Sequence, residues 1–383
     1  MANLELIAFF CAGYFYFGFP DQLKSLPLIG QSKLMTIIIP FGAYFLGLLV
    51  FHLSSRFRQD LSIKVSIKKS LLELRLLLPF LIPIFLLTLF REGVGIYSNL
   101  NLPKIPLLSG NDAQVAISVI SGLSFLGLVM ILLPPLMIWT WQCIPLEEGP
   151  LLRRLEALCQ KAGIKHAGIM VWKPLENSTT AAVIGVAPRF RYLLFTPRML
   201  TEMKPELVEA VLCHEIGHCY RKHLYIYPFI LAGMAISASL FSYFLSDQIV
   251  NFLNAHIDHG SIWEFFISRT MIFLFFAVIF GLYFRFVFGY FSRLFERQAD
   301  LHVFQLGLNP DHLIEAFKHM GKVSGHGLSQ PSWHHYSLQK RVDFLEDAKL
   351  KPETISRHHC YVKRMLFLYF ILLVIMTGGL YLT

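Results

Sequence analysis

Apolar residues in this chain gather into long unbroken runs rather than recurring at strand or amphipathic-helix spacing. A helix that crosses a membrane needs roughly 20 predominantly apolar residues. Runs at 4–19, 34–53, 72–90, 115–141, 226–253, 270–290 and 365–382 reach or approach that length, so the pattern predicts seven spans. The first run is short and rich in Tyr and Phe. Its leading residues carry no Lys or Arg, and no small-residue cleavage site follows, so it reads as a retained span and not a signal peptide. Polar segments fill the gaps between spans 4 and 5 and between spans 6 and 7.

Composition strengthens this picture. Hydrophobic residues make up 55% of the chain and charged residues 15%, where a soluble domain carries about 25% charged residues. Mean hydropathy is +0.54. An ordinary cytosolic globule, a disordered chain and a fibrous repeat are excluded. The net charge of +9 is read as facing lipid headgroups, not nucleic acid. Six scattered cysteines in a chain of this size make no disulfide scaffold.

The basic residues set the orientation. Arg56, Arg58, Lys64, Lys68 and Lys69 follow span 2, and eleven Lys or Arg lie in each of 143–225 and 291–364. With seven alternating spans these segments share one side, which the positive-inside rule makes cytoplasmic. The expected organisation is four spans in 1–142, half of a polar domain in 143–225, a membrane hairpin in 226–290, the other half in 291–364 and a last span in 365–383. Neither polar segment is a comfortable domain alone, but together they reach normal domain size.

The chemistry lies in those segments. His214-Glu215-Ile216-Gly217-His218 is an HExxH motif. Pro205 suits a first helical position, Glu206 and Glu209 suit the positive end of the dipole, and Arg221, Lys222 and His223 suit the C-terminal end. Residues four apart lie one above the other on a helix, so His214 and His218 can hold one Zn²⁺. Glu215 then points toward the open coordination position and can take a proton from the attacking water. A third ligand must come from elsewhere. In Ser292-Arg293-Leu294-Phe295-Glu296-Arg297-Gln298-Ala299-Asp300, Glu296 and Asp300 are four apart and face the same way. Glu296 can be the third ligand. Asp300 can accept a hydrogen bond from the outer nitrogen of a ligand histidine. His223, five beyond His218, reads as a helix C-terminal cation. His358-His359-Cys360 reads as an interfacial cluster.

HExxH, two spans, then SRxxExxAD resembles the M48 membrane zinc metallopeptidases, which include Ste24-type CAAX prenyl proteases and HtpX-type quality-control proteases. Further stretches match in order: Thr180-Ala181 through Gly185 with Arg191–Phe195, then Leu306–Pro310, then Ser332–Val342. The resemblance covers about residues 150–350. The chain departs from the pattern at Thr180, where the family has Asn, and at Tyr336, where it has Pro. Four spans before HExxH put it between the two subfamilies.

The resemblance implies a polytopic α-helical membrane protein with a discontinuous α+β, gluzincin-like zinc-peptidase domain. It implies that Ala181, Ala182, Val183, Ile184 and Gly185 bind extended peptide by edge pairing. It also implies that His335 and Arg341 lie near the scissile carbonyl, where they would stabilise an oxyanion. Read by themselves, His335 has the lesser alternative of a surface histidine beside His334, and Arg341 is equally a partner of Asp300 or Glu296. The expected function is a membrane-embedded zinc metalloendopeptidase with one Zn²⁺ per chain. Its expected partners are the lipid bilayer and membrane-associated, misfolded or lipid-modified protein substrates. A bacterial plasma membrane is favoured over the endoplasmic reticulum. The alternative is an inactive relative that binds membrane proteins around a structural zinc.

Overall fold

The computed structural model describes scattered positions between 35 and 51 and residues 63–99, 111–256, 262–323, 327–330 and 335–382. The expected first span at 4–19 lies outside the described residues, as do residues 331–334. The chain divides into two compact units, Met1–Gln142 and Cys143–Thr383.

In the first unit, α1 (Ile63–Asn99) packs on α2 (Asn111–Thr140). Lys64, Lys68 and Lys69 belong to the first turns of α1 and not to a loop, because the helix starts well before the apolar run. Pro79 and Pro83 lie inside α1, and its two halves, Ile63–Pro79 and Leu81–Leu89, meet at 52°. Proline lacks the N–H that would continue the helical ladder and its ring crowds the preceding turn, so the bend falls where the sequence puts it.

The second unit begins with β1 (Ile144–Pro145), α3 (Pro150–Lys161) and β2 (Gly168–Val171). There follow β3 (Ala181–Ile184), β4 (Tyr192–Phe195), α4 (Pro197–Glu202) and α5 (Pro205–Tyr220). The sheet order is β1-β2-β4-β3; β2 and β4 are parallel and the outer pairs antiparallel. Gly185 turns the chain out of β3. Its φ of 94° lies in the left-handed region, and a Cβ there would run into the Phe190 carbonyl. β3 is left as an edge strand beside α5.

Helix α5 carries the HExxH residues and ends sooner than its basic C-terminal residues suggest. Lys222 takes φ of 60°, a left-handed conformation that stops a helix. His223 therefore opens a new helix, α6 (His223–His256), which pairs with α7 (Ile262–Leu282). A π-helical segment, Tyr283–Phe288, joins α7 to α8 (Gly289–Asp300), followed by α9 (His302–Gln305). The stretch Leu274–Gln305 is apolar enough to cross a membrane and has 32 residues. That is about 48 Å of helix against roughly 30 Å of bilayer core, so the stretch is longer than one crossing needs. The chain continues through α10 (Pro310–Val323), α11 (Leu338–Leu350) and α12 (Glu353–Leu382).

The two polar segments share one core. Leu155, Leu193, Phe195, Val208, Leu212 and Ile216 from the first pack with Val303, Leu313, Phe317, Val342 and Leu345 from the second. A separate knot ties α6, the π segment and α12. The Tyr283 hydroxyl donates to the Ile230 carbonyl at 2.5 Å and meets the Tyr369 hydroxyl at 2.7 Å.

Three stretches among the described residues can cross a membrane by length and composition: His223–Tyr243, Leu274–Gln305 and Glu353–Gly378. The bent pair in α1 makes a fourth if counted as one span, while Gly42–Phe51 and Gly127–Thr140 are apolar but shorter. Large apolar side chains such as Leu274, Val278 and Val374 are exposed on these helices, a surface that lipid covers and water would not. This is an integral membrane protein.

Candidate metal centre

Two helices make the centre. α5 presents His214 and His218 from successive turns, and α8 crosses it closely enough to deliver Glu296. Gly217 permits the approach: a Cβ there would lie 2.8 Å from the Ala299 Cα and 2.9 Å from its carbonyl oxygen. The glycine inside the motif therefore keeps the second helix within reach.

The inward nitrogens and the carboxylate converge. His214 Nε2 and His218 Nε2 are 3.2 Å apart. Glu296 Oε2 is 3.6 Å from His214 Nε2, and its Oε1 is 3.5 Å from His218 Nε2. All three side chains are buried, and among the described residues they form the one group able to share a metal ion. Two imidazoles and one carboxylate are the donor set of a catalytic zinc site, which keeps a fourth position open. A structural site is usually closed by a fourth protein ligand.

The outer nitrogens are also held. His214 Nδ1 lies 2.8 Å from Asp300 Oδ1. Asp300 is fully buried and accepts two hydrogen bonds from Arg341, Nε at 2.9 Å and Nη2 at 2.6 Å. Arg341 Nη1 is also 3.2 Å from Glu296 Oε2. Burial works against the Arg341 charge, yet Asp300 and then Glu296 outweigh it and raise its pKa above the ordinary value. Of the two readings the sequence left open for Arg341, the geometry matches pairing with both carboxylates. For His218, burial opposes the charged form, but Glu296 and Glu215 raise its affinity for a proton. A proton there competes with a metal.

Glu215 sits beside the metal group, and its Oε2 accepts the Val183 N–H at 3.0 Å. The base and the edge strand thus touch. One cavity of about 580 Å³ is lined by Thr180–Val183, His214, Glu215, His218, Glu296, His335 and Arg341, with an apolar wall that includes Val211, Leu313, Phe317 and Met320. His335 is half-buried at its rim, its Nδ1 3.1 Å from Glu296 Oε2. Asp300 stands behind the metal group. Ile184 pairs with Tyr192 and Gly185 lies past the strand, so the cavity is lined by the front of the strand, with Thr180 added.

His223 is not the helix C-terminal cation the sequence suggested. It is fully buried, stacked 4.3 Å from Phe295, and its Nδ1 lies 3.0 Å from His218 Nδ1. The turn at Lys222 brings it back over the motif, which a continuous helix would not do. The one sequence sign was a histidine just past HExxH. Gln298, behind His223, carried none, and His359 read only as part of an interfacial cluster. His358 is buried and bonded to the Leu294 carbonyl, and only Cys360 of that cluster is exposed. Cys213 and Cys219 are buried, and burial pushes both thiols up to about 12, so they pack as thiols.

Membrane helices, a small sheet with a free edge and an HExxH centre completed from a second helix define the membrane metallopeptidases. Residues 145–365 match the family model of Peptidase family M48. The chain belongs to that family. It is 27% identical over 153 residues to Protease HtpX of Chromohalobacter salexigens, covering 40% of this chain and 50% of that relative. The chain thus spans half the length of this curated relative. The crystal structure of S. mikatae Ste24p superposes with a TM-score of 0.52 at 19% identity, covering 89% of this chain and 82% of that one, a likeness of fold.

Proposed function

We propose that this protein is a zinc-dependent metalloendopeptidase that cleaves membrane-associated proteins, misfolded or lipid-modified, at the membrane surface. The observation that carries the reading is the meeting of His214, His218 and Glu296 in one cavity with Glu215, which is itself bonded to the edge strand. His214, His218 and Glu296 would hold the zinc. Zinc bound there would polarise the scissile carbonyl and make water acidic enough to attack near neutral pH. Glu215 takes the proton of the attacking water and passes it to the leaving amine. Asp300 fixes the ring of His214, and Arg341 holds Asp300 and Glu296 in place. His335, at the rim, would donate to the developing oxyanion.

The expected seven spans, with 143–225 and 291–364 as the halves of one cytoplasmic domain around the hairpin 226–290, complete the proposal. Their Lys and Arg content supports this orientation, and a bacterial plasma membrane is the proposed location.

The test is metal removal. The purified full chain should carry about one zinc, lose casein cleavage after chelation and regain it with added zinc. Zinc bound tightly with no cleavage of casein or of any membrane protein would favour the binding-protein alternative. A prenylated peptide compared with its unprenylated twin separates the two substrate classes.

The edge strand offers a second test. Thr180 bonds inward to Thr196, and the Val183 N–H points outward to Glu215. By strand alternation Ala181 also faces outward. Ala181→Pro removes one outward N–H and leaves the pairing with β4 intact. KM should rise about tenfold, the value of roughly one hydrogen bond, with kcat nearly unchanged. An unaltered KM would remove this strand from substrate binding.

A further inference from the structure

The two histidines of the motif are supported differently. Behind His214 stands a carboxylate, and behind His218 stands another imidazole. The contacts continue inward from there. His218 Nδ1 meets His223 Nδ1 at 3.0 Å, and His223 Nε2 meets Gln298 Oε1 at 3.1 Å. Gln298 Nε2 meets His359 Nδ1 at 3.1 Å, and His359 Nε2 meets Arg221 Nη2 at 2.7 Å. The chain starts at the metal group, crosses α6 and α8, and ends between the root of α12 and the turn after α5.

Proton counting gives this chain a direction. A guanidinium only donates, a neutral imidazole has one N–H, and an amide offers a donor on one side and an acceptor on the other. When His218 holds an ion through Nε2, its proton sits on Nδ1 and it too can only donate along the chain. Donors then push from both ends, and one of the four contacts receives two protons. With the ion gone, the His218 proton can move to Nε2 facing Glu296. Every contact is then matched once the Gln298 amide turns over. Metal binding therefore sets the direction His218 to His223 to Gln298 to His359, and Arg221 opposes it.

We propose that His223 is a positioning residue for the metal site, and that Gln298, His359 and Arg221 behind it set how tightly the site holds its ion. The proposal rests on the reading of His214, His218 and Glu296 as metal ligands. His223 accepts the outer proton of His218 and so fixes the ring that faces the ion. Arg221 works in the opposite sense, so the two ends of one chain have opposite effects on affinity.

The experiment measures zinc affinity of the full chain in detergent by competition with a chromophoric chelator, using zinc alone as probe. His223→Phe keeps the stack on Phe295 and removes the acceptor; affinity should fall about 10–100-fold. His223→Gln, whose amide can accept and donate, should recover most of it. Arg221→Met removes the charged and nearer donor at His359 Nε2, leaving only the Gln305 Nε2 contact at 3.4 Å, and should tighten binding about 3–10-fold, the worth of one matched hydrogen bond. Arg221 is partly exposed, so this variant serves as the test if His223→Phe does not fold. Native affinity in His223→Phe, or unchanged or weaker binding in Arg221→Met, overturns the proposal. Failure of the native chain to bind zinc would overturn the metal-site reading itself.

Discussion

Glu215→Gln should bind zinc as the native chain does and lose about 10²–10⁴-fold in kcat, the usual worth of a positioned general base. The expectation follows from where the side chain sits. Glu215 is not among the converging donors, so an amide of the same size leaves the metal group intact. Among the described residues its hydrogen bond is from the Val183 N–H, which the amide oxygen of Gln accepts equally well. What the amide cannot do is take a proton from the attacking water. Zinc content, measured with steady-state cleavage of casein, reads both effects at once. Cleavage at the native rate would remove Glu215 from the reaction. Loss of zinc would mean that it supports the metal group, a role the geometry does not suggest.

The parts of this site that the sequence announces are those set by a single helix. Pro205 marks the start of α5, the four-residue spacing puts His214 above His218, and the same spacing puts Glu296 and Asp300 on one face of α8. Nothing local says that these two helices meet; that depends on Gly217 lying against Ala299. The end of α5 is less legible. Chains usually leave a helix by a left-handed Gly or Asn, and Lys222 gives no such sign. The reversal that buries His223 against His218 therefore looks, in the sequence, like the polar end of one longer helix. The apolar run at 270–290 suggests a span that stops before the site helix. In the structure Leu274–Gln305 is continuous through a π segment, so a membrane helix carries the third donor directly. Arg341 shows the limit most clearly. The family resemblance implies a residue beside the substrate, and only the tertiary contact with Asp300, 41 residues away in sequence, shows what it holds.

That contact sets the second large expectation. Arg341→Met should destabilise the protein by about 3–5 kcal/mol, the usual cost of removing one partner from a buried ion pair. Asp300 and Glu296 are both buried, and Arg341 touches both, so its loss strands two carboxylates rather than one. Bound zinc brings positive charge to Glu296 but leaves Asp300 with His214 alone. The loss should therefore be largest in metal-free protein and partly reversed by saturating zinc. Thermal inactivation midpoints of the native chain and the variant, with and without zinc, measure this directly. The two roles for Arg341 separate cleanly here. An arginine that only stabilised the oxyanion would lower kcat and leave the midpoint of the metal-free protein unmoved. An arginine that holds the carboxylates lowers the midpoint first, and its effect on zinc affinity follows from the freedom it gives Glu296 and, through Asp300, His214.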